Sequence, residues 1–142
     1  MQGPRRYYVR PMSEPVAFIS RFRIKAGQRR AYEALAADVT PRLQADKPQT
    51  LVFLSYLGDD DMLTIIHVFA DAESMDRHFE GSDERSALAM PLLIPVGWEI
   101  YGAVSEAALA TLRQASANAG VPLAVHGEFL AGFLRPHPTP RD

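Results

Sequence analysis

The sequence contains no cysteine. It therefore cannot form disulfides, supply a thiolate nucleophile or hold iron–sulfur clusters or zinc through sulfur, and it fits a reducing compartment. No apolar run approaches the roughly 18 to 20 residues of a membrane-spanning helix. The basic N-terminus leads into prolines and polar residues rather than a secretory apolar segment. We therefore expect a soluble, cytoplasmic protein with no membrane partner.

The sequence also has no large excess of charge of either sign. It has 15 basic and 17 acidic residues, which give a formal net charge of −2. Such a balance creates no field that would recruit nucleic acid. The sequence also has no glycine-rich phosphate loop, Ser-His-Asp arrangement or carboxylate pair. These absences disfavour polyanion partners, phosphate-loop enzymes and triad hydrolases.

The length and apolar content are those of one globular domain: 142 residues, of which 47% are hydrophobic. We expect a disordered N-terminal extension over residues 1–14, a single domain over residues 15–135, and a stiff, solvated tail over residues 136–142. Within the domain, a core at 16–104 precedes a C-terminal helix and an irregular strand at 105–135.

The core has the order strand, helix, strand, strand, helix, strand. Its strands are predicted from alternation or apolar runs at residues 16–24, 51–57, 62–69 and 96–104. This order predicts an α+β, ferredoxin-like, split-βαβ fold with a four-stranded antiparallel sheet and helices on one face.

Capping residues, glycine and proline predict where the helices begin and end. Asp71 and Ser105 are predicted N-caps, and Gly120 is a predicted stop. Pro41 lies inside the first helical pattern, which predicts a kink or an interruption near Thr40.

The sheet face that carries no helices would display Ile19, Ile66 and Val68. A soluble monomer rarely exposes such an apolar surface. We therefore expect a homodimer that packs sheet against sheet.

Three segments resemble the antibiotic biosynthesis monooxygenase family of dimeric α/β barrels: residues 22–28, residues 47–53, and residues 68–74 continuing to Arg77, His78 and Phe79. The likeness covers about residues 16–104. It implies a ligand between the sheet and the helices of each subunit. Family members include cofactor-independent oxygenases of phenolic and quinone-forming substrates, haem-degrading oxygenases and enzymes that process signal molecules.

The haem-degrading members carry an asparagine, a tryptophan and a histidine at positions that align here with Ser20, Phe69 and Leu88. All three differ, and a leucine cannot ligate iron. Haem degradation is therefore disfavoured.

His67 is the candidate catalytic base. If Phe69 faces the helices, as the aligned tryptophan does in the family, the period of two points His67 into the same pocket. An imidazole can take a proton from a phenol near neutral pH and return it later. The alternative is a core histidine whose ring nitrogens are satisfied by neighbours.

His78, on the inner edge of the second helix at a position where the family often has histidine, is the second catalytic candidate. It could instead form a hydrogen bond across the break at Gly81. A metal bound by His67 and His78 lacks a third ligand. The loop 59–61 carries three aspartates but not the pattern of a calcium loop, so a solvated turn is the better interpretation.

The predicted substrate contacts combine the inner faces of the strands with aromatic side chains: Phe18, Ser20, Phe22, Tyr56, Ile65, Phe69 and Trp98. Single aromatics of this kind are also common core or interface residues. Arg21 and Arg23 are expected to face away from the pocket, and His126 and His137 have weak claims to function.

The resulting hypothesis is a cofactor-independent monooxygenase-like enzyme for a small aromatic or polyketide-like substrate. It needs no metal or organic cofactor, and molecular oxygen is its co-substrate. Two alternatives remain open: a non-redox cyclase or isomerase that uses the same pocket, since the same histidine can enolise a ketone, and a non-catalytic small-molecule-binding dimer.

Overall fold

The computed structural model describes residues 14–135, so almost all of the predicted extension and the whole predicted tail lie outside the described residues. These described residues form five strands and four α-helices. The strands are β1 (Val16–Ile24), β2 (Thr50–Leu57), β3 (Met62–Phe69), β4 (Leu93–Tyr101) and β5 (Leu123–His126). The helices are α1 (Arg29–Asp46), α2 (Ala72–Phe79), α3 (Ser82–Ala89) and α4 (Glu106–Ala119). No helix within residues 14–135 is long and apolar enough to cross a membrane.

The sheet has the order β2-β3-β1-β4-β5. Its first four strands pair antiparallel, as the ferredoxin-like prediction requires. The predicted sheet was nevertheless too small, because β5 pairs parallel to β4 and makes the sheet five-stranded and mixed. The backbone amide of Gly102 donates to the carbonyl of His126 over 2.8 Å at this edge. The parallel direction follows from the connection, since α4 carries the chain back along the sheet before β5 begins.

The helix ends follow the capping residues of the sequence. The Asp71 carboxylate accepts a hydrogen bond from the amide of Ser74 over 2.7 Å at the start of α2. The Ser105 hydroxyl accepts one from the amide of Ala108 over 3.1 Å at the start of α4. Gly120 ends α4 with a φ of 66°, a conformation that glycine adopts without strain. All three predicted helix limits are confirmed.

Helix α1 continues through Pro41, so of the kink or interruption expected near Thr40, the interruption does not occur. Proline removes the hydrogen bond to the carbonyl four residues earlier, which belongs to Ala37. Both Pro41 and Ala37 are exposed. Water can therefore satisfy the carbonyl, and the helix tolerates the proline.

The two faces of the sheet differ in burial. Along β1, the buried residues are Val16, Phe18, Ser20, Phe22 and Ile24, and the residues between them are partly or fully exposed. This inner face packs under the helices in two apolar clusters, one around Phe18, Phe69 and Met75 and one around Phe22, Tyr32 and Leu63. The outer face includes Ile19, Ile66 and Val68, all of them partly exposed.

Candidate functional site

A cavity of about 610 Å³ lies between the inner face of the sheet and the helices. Four strands and all four helices contribute to its wall, and the wall is mostly apolar. Its sheet side is formed by Phe18, Ser20, Phe22, Phe53, Ser55, Ile65, His67, Leu93, Pro95 and Trp98. Its helical side includes Tyr32, Leu35, Ala36, Val39, Thr40, Leu43, His78, Phe79, Ser82, Arg85, Ser86, Ala89, Leu112, Ala115, Asn118 and Ala119. A concave, mainly apolar site with a few polar groups is typical of small-molecule binding.

The structure brings seven of the nine sequence-predicted site residues to this wall: Phe18, Ser20, Phe22, Ile65, His67, His78 and Trp98. They come from β1, β3, β4 and α2. The alternation of these strands explains why their side chains converge, since every second residue points to the same face.

Tyr56 does not belong to this wall. It pairs with Thr64 of β3, one position away from the inward-facing pair of Ser55 and Ile65, and so it points to the outer face. Its side chain is 57% exposed. The sequence-based assignment of Tyr56 to the pocket is therefore corrected by the register of the hairpin.

Phe69 is on the predicted face but lies behind the cavity wall. It is fully buried, and its ring centroid is 5.2 Å from that of His78 and 6.0 Å from that of His67. Phe69 thus supports the two histidine rings from behind and does not reach the cavity surface.

His67 has a defined proton position. Its Nδ1 lies 3.2 Å from the carbonyl oxygen of Phe18. A carbonyl can only accept, so Nδ1 carries the hydrogen and donates it. In the neutral ring, Nε2 then keeps a free lone pair. Burial, with a further contribution from the charge of Arg85, lowers the pKa of His67 to about 4, so the ring is neutral at physiological pH.

His78 lies beside His67, with 5.1 Å between the ring centroids and a T-shaped arrangement. Its Nδ1 is 2.5 Å from the hydroxyl oxygen of Thr50 at the start of β2. Burial, followed by the charges of His67, Arg85 and Lys47, lowers the pKa of His78 to about 3. Both rings are therefore uncharged polar groups in an apolar wall.

Phenylalanine rings surround the two histidines. Around His67, the centroids of Phe18, Phe53 and Phe79 lie at 5.3, 5.1 and 5.8 Å. These rings fix the orientation of the imidazole and keep water away from it. Low polarity around the site makes any charge formed there interact more strongly with its neighbours.

Arg85 of α3 is a cavity residue that sequence reasoning missed. Its Nη2 donates a hydrogen bond to the carbonyl of His78 over 2.8 Å. It forms no salt bridge with a carboxylate of residues 14–135. The helix around it has no apolar stripe, and the available signal was the line of small residues Ser82, Ser86 and Ala89 at helical spacing beside the arginine.

The part of the chain that the structure describes contains no group of three or more His, Asp or Glu side chains placed to hold a metal ion. In the loop 59–61, Asp61 pairs instead with Arg29 over 3.3 Å.

Several solved structures superpose on this fold. MupZ from Pseudomonas fluorescens superposes with a TM-score of 0.67 at 19% identity, over 89% of this chain and 99% of MupZ. SnoaB, a cofactor-independent oxygenase from Streptomyces nogalater, superposes with a TM-score of 0.53 at 18% identity, over 66% of this chain and 96% of SnoaB. A protein from Caulobacter crescentus, provisionally assigned as an antibiotic biosynthesis monooxygenase, gives 0.58 at 15% identity, over 66% and 93% of the two chains.

No family model matches the sequence, and no curated protein matches it either. The structural likeness therefore establishes the fold: the chain has the architecture of antibiotic biosynthesis monooxygenases, as the sequence resemblance predicted. The match to MupZ covers more of the chain than the core 16–104 can supply, so it extends into the C-terminal helix and strand.

Proposed function

We propose that the protein is a cofactor-independent monooxygenase-like enzyme that takes a small aromatic or polyketide-like molecule into the cavity, with His67 as the base. The observation that carries the proposal is the fixed tautomer of His67. Its Nδ1 donates to Phe18, and its ring lines an apolar cavity large enough for such a molecule. The basic nitrogen that remains is Nε2, which is the atom that would accept the substrate proton.

The low pKa of His67 restricts the substrate. A phenol has a pKa near 10, so proton transfer to a base of pKa about 4 costs about 8 kcal/mol in the resting site. An anion formed beside the new imidazolium recovers part of this cost, because the two opposite charges attract each other in an apolar cavity. The site therefore favours phenols or enols acidified by conjugated carbonyl groups over simple phenols.

The proposed reaction needs no electron carrier in the protein. Ionisation makes the substrate electron-rich enough to reduce molecular oxygen directly. One oxygen atom enters the substrate, which loses two hydrogens at the same carbon, and the other oxygen leaves as water. The residues of this chain contribute binding, orientation and the movement of one proton through Nε2 of His67. His78, held by Thr50, would act as a neutral hydrogen-bonding partner beside that nitrogen.

The functional unit that we propose is a homodimer formed through the outer face of the sheet. Ile19, Ile66 and Val68 lie partly exposed on that face, and Leu54 of β2 is 45% exposed beside them. A second copy of the same face would bury these side chains. The cavity lies on the other side of the sheet, so each subunit of the dimer would carry its own site.

Oxygen uptake tests the proposed reaction. Chelator-treated protein is offered a panel of hydroxyaromatic and 1,3-dicarbonyl compounds while oxygen and product are measured. We expect oxygen uptake and a monooxygenated product, with a kcat/KM reduced at least about a hundredfold in His67→Ala because general-base catalysis contributes on that scale. His67→Gln keeps a donor for the Phe18 carbonyl but has no basic nitrogen, so it should lose activity to the same extent while remaining folded.

His126→Gln is the matched control, because His126 is exposed on β5, stacks on Tyr101 and lies outside the cavity. It should keep native activity. Product formation without oxygen uptake would contradict the oxygenase proposal and identify a non-redox cyclase or isomerase. Full activity in folded His67→Gln would show that another group is the base.

A further inference from the structure

The cavity has a charged group that the proposed reaction does not require. Arg85 extends from α3 into a wall composed largely of apolar side chains, and it forms no salt bridge within residues 14–135. Taking a charge out of water is unfavourable unless it is paired or hydrogen-bonded. Here the partial burial of the guanidinium lowers the pKa of Arg85, which means that its charge is held at a cost.

The observed hydrogen bond uses only part of the donor capacity of Arg85. One nitrogen, Nη2, donates to the carbonyl of His78 over 2.8 Å. A guanidinium has five N–H donors in a planar fork, and this fork matches the two oxygens of a carboxylate. Arg85 itself lines the α3 side of the cavity, where Ser82 and Ser86 add hydroxyl groups to the same wall.

From this arrangement we propose that the substrate carries a carboxylate and that Arg85 binds it. This rests on the proposed function in so far as the ligand is the substrate of the same cavity. The acid would bind at the α3 side, and the apolar part of the molecule would extend over Phe22, Ile65 and Trp98 of the sheet side. The reactive end would then reach His67, whose pKa the charge of Arg85 already lowers.

The overall charge of the protein does not explain such a preference. The chain has a net charge of −2, so no general attraction draws anions to it. Any selectivity for an acid over its uncharged analogue must come from the local guanidinium.

Binding can be measured without turnover, because Trp98 is the single tryptophan of the sequence and lines the cavity. The probes are 4-phenylbutyrate and 4-phenylbutyramide, which have the same shape and differ in charge. Quenching of Trp98 fluorescence at neutral pH gives the Kd of each. We expect the carboxylate to bind about tenfold more tightly or better, because a hydrogen bond to an ionised group is worth more than a neutral one.

Variants of Arg85 test whether this residue causes the preference for the carboxylate over the amide. Arg85→Gln should reduce the ratio of the two Kd values to about one and leave the affinity for the amide unchanged, and Arg85→Lys should give an intermediate ratio. The matched control is Arg42→Gln, which removes the same charge from an exposed position on α1, where Arg42 pairs with Asp38 over 3.2 Å. It should keep the native ratio.

Three outcomes would overturn the assignment: equal affinity of the native protein for both probes, a native ratio that persists in Arg85→Gln, or no binding of either probe at millimolar concentration. The result is independent of the oxygenase proposal. His67→Gln should abolish turnover and keep the carboxylate preference, whereas Arg85→Gln should abolish the preference whatever the chemistry is.

Discussion

The inner and outer faces of the sheet are built from the same strands but differ in what their side chains contact. On β3, Leu63, Ile65 and His67 point toward the helices, and Thr64, Ile66 and Val68 point away from them. The inner side chains meet helices and form a cavity wall. The outer ones remain partly exposed around an ion pair between Arg21 and Glu99.

The difference shows how a polar group is tolerated on each face. On the outer face, Arg21 and Glu99 neutralise each other and are partly hydrated, so their pairing contributes little to stability. Between the inner face and the helices, His67 of β3 and His78 of α2 are 5% and 2% exposed, and burial lowers the pKa of both so that they are neutral. Burying these rings as neutral groups therefore costs stability in acid, and truncating a side chain should cost more on the inner face than on the outer face.

The largest expected effect on stability comes from removing an inner aromatic. Phe69→Ala deletes a fully buried ring that packs against His67, His78 and Phe79. We expect the free energy of unfolding to fall by about 3–5 kcal/mol, the usual range for phenylalanine to alanine in a core. Urea denaturation followed by circular dichroism measures it.

Tyr56→Ala is the outer-face counterpart on β2. In the monomer it should cost less than about 1 kcal/mol, because the side chain is exposed. If a second subunit covers the outer face, the cost of Tyr56→Ala should grow with protein concentration, since association stabilises the folded form by mass action. The cost of Phe69→Ala should not. Equal costs for the two variants at low concentration would contradict the assignment of the faces.

The second expected effect is acid lability. The pKa of His67 is about 4 in the folded protein and near 6.5 in the unfolded chain. Between these values the unfolded chain binds more protons, so stability rises with pH. The stability associated with the neutral ring is complete above about pH 6.5 and is lost as the pH falls toward 4, which corresponds to about 3 kcal/mol for His67 alone.

Unfolding free energies between pH 7 and pH 4 would test this. His67→Gln has no titrating ring and should lose less stability on acidification than the native protein, with a difference of about 3 kcal/mol at pH 4. His78→Gln should show the same direction, because the pKa of His78 is also lowered by burial. A His67→Gln profile that parallels the native one would mean that the imidazole is hydrated in the folded state.

The fold was largely predictable because it depends on local patterns. Period-two alternation located β1 and β3, and the capping residues Asp71 and Ser105 located the starts of α2 and α4. The edge position of β5 was not predictable, because a four-residue strand carries no signal that names its partner. The pairing of β5 with β4 depends on tertiary contacts, because α4 must first carry the chain back across the sheet.

The site was predictable only in part, for a related reason. The inward direction of His67 follows from alternation, and the structure confirms that direction. Tyr56 was misplaced because the register of a hairpin with a four-residue connection is not fixed by its apolar pattern. Arg85 was missed because α3 contributes mainly small residues to the cavity wall, so its sequence shows no apolar stripe. Only the folded structure shows that this side of α3 faces the cavity.

Ile66→Asp is expected to have the smallest effect on the stability of the fold. Its effect on dimer formation should be the clearest of all the variants. Ile66 lies at the centre of the outer face, with Ile19 and Leu54 as its cross-strand neighbours. In the proposed dimer, the new carboxylates of both subunits would be buried at the interface without a partner, which is strongly unfavourable.

Sedimentation at micromolar concentration should show a mass near twice 15.7 kDa for the native protein and near 15.7 kDa for Ile66→Asp. Ala37→Asp adds the same charge on an exposed part of α1 and should remain dimeric. Because Ile66 points away from the cavity, the monomeric variant should still bind 4-phenylbutyrate through the inner face. A native monomer would remove the dimer from the proposal, whereas a monomeric variant that no longer binds the probe would show that the two faces are not independent.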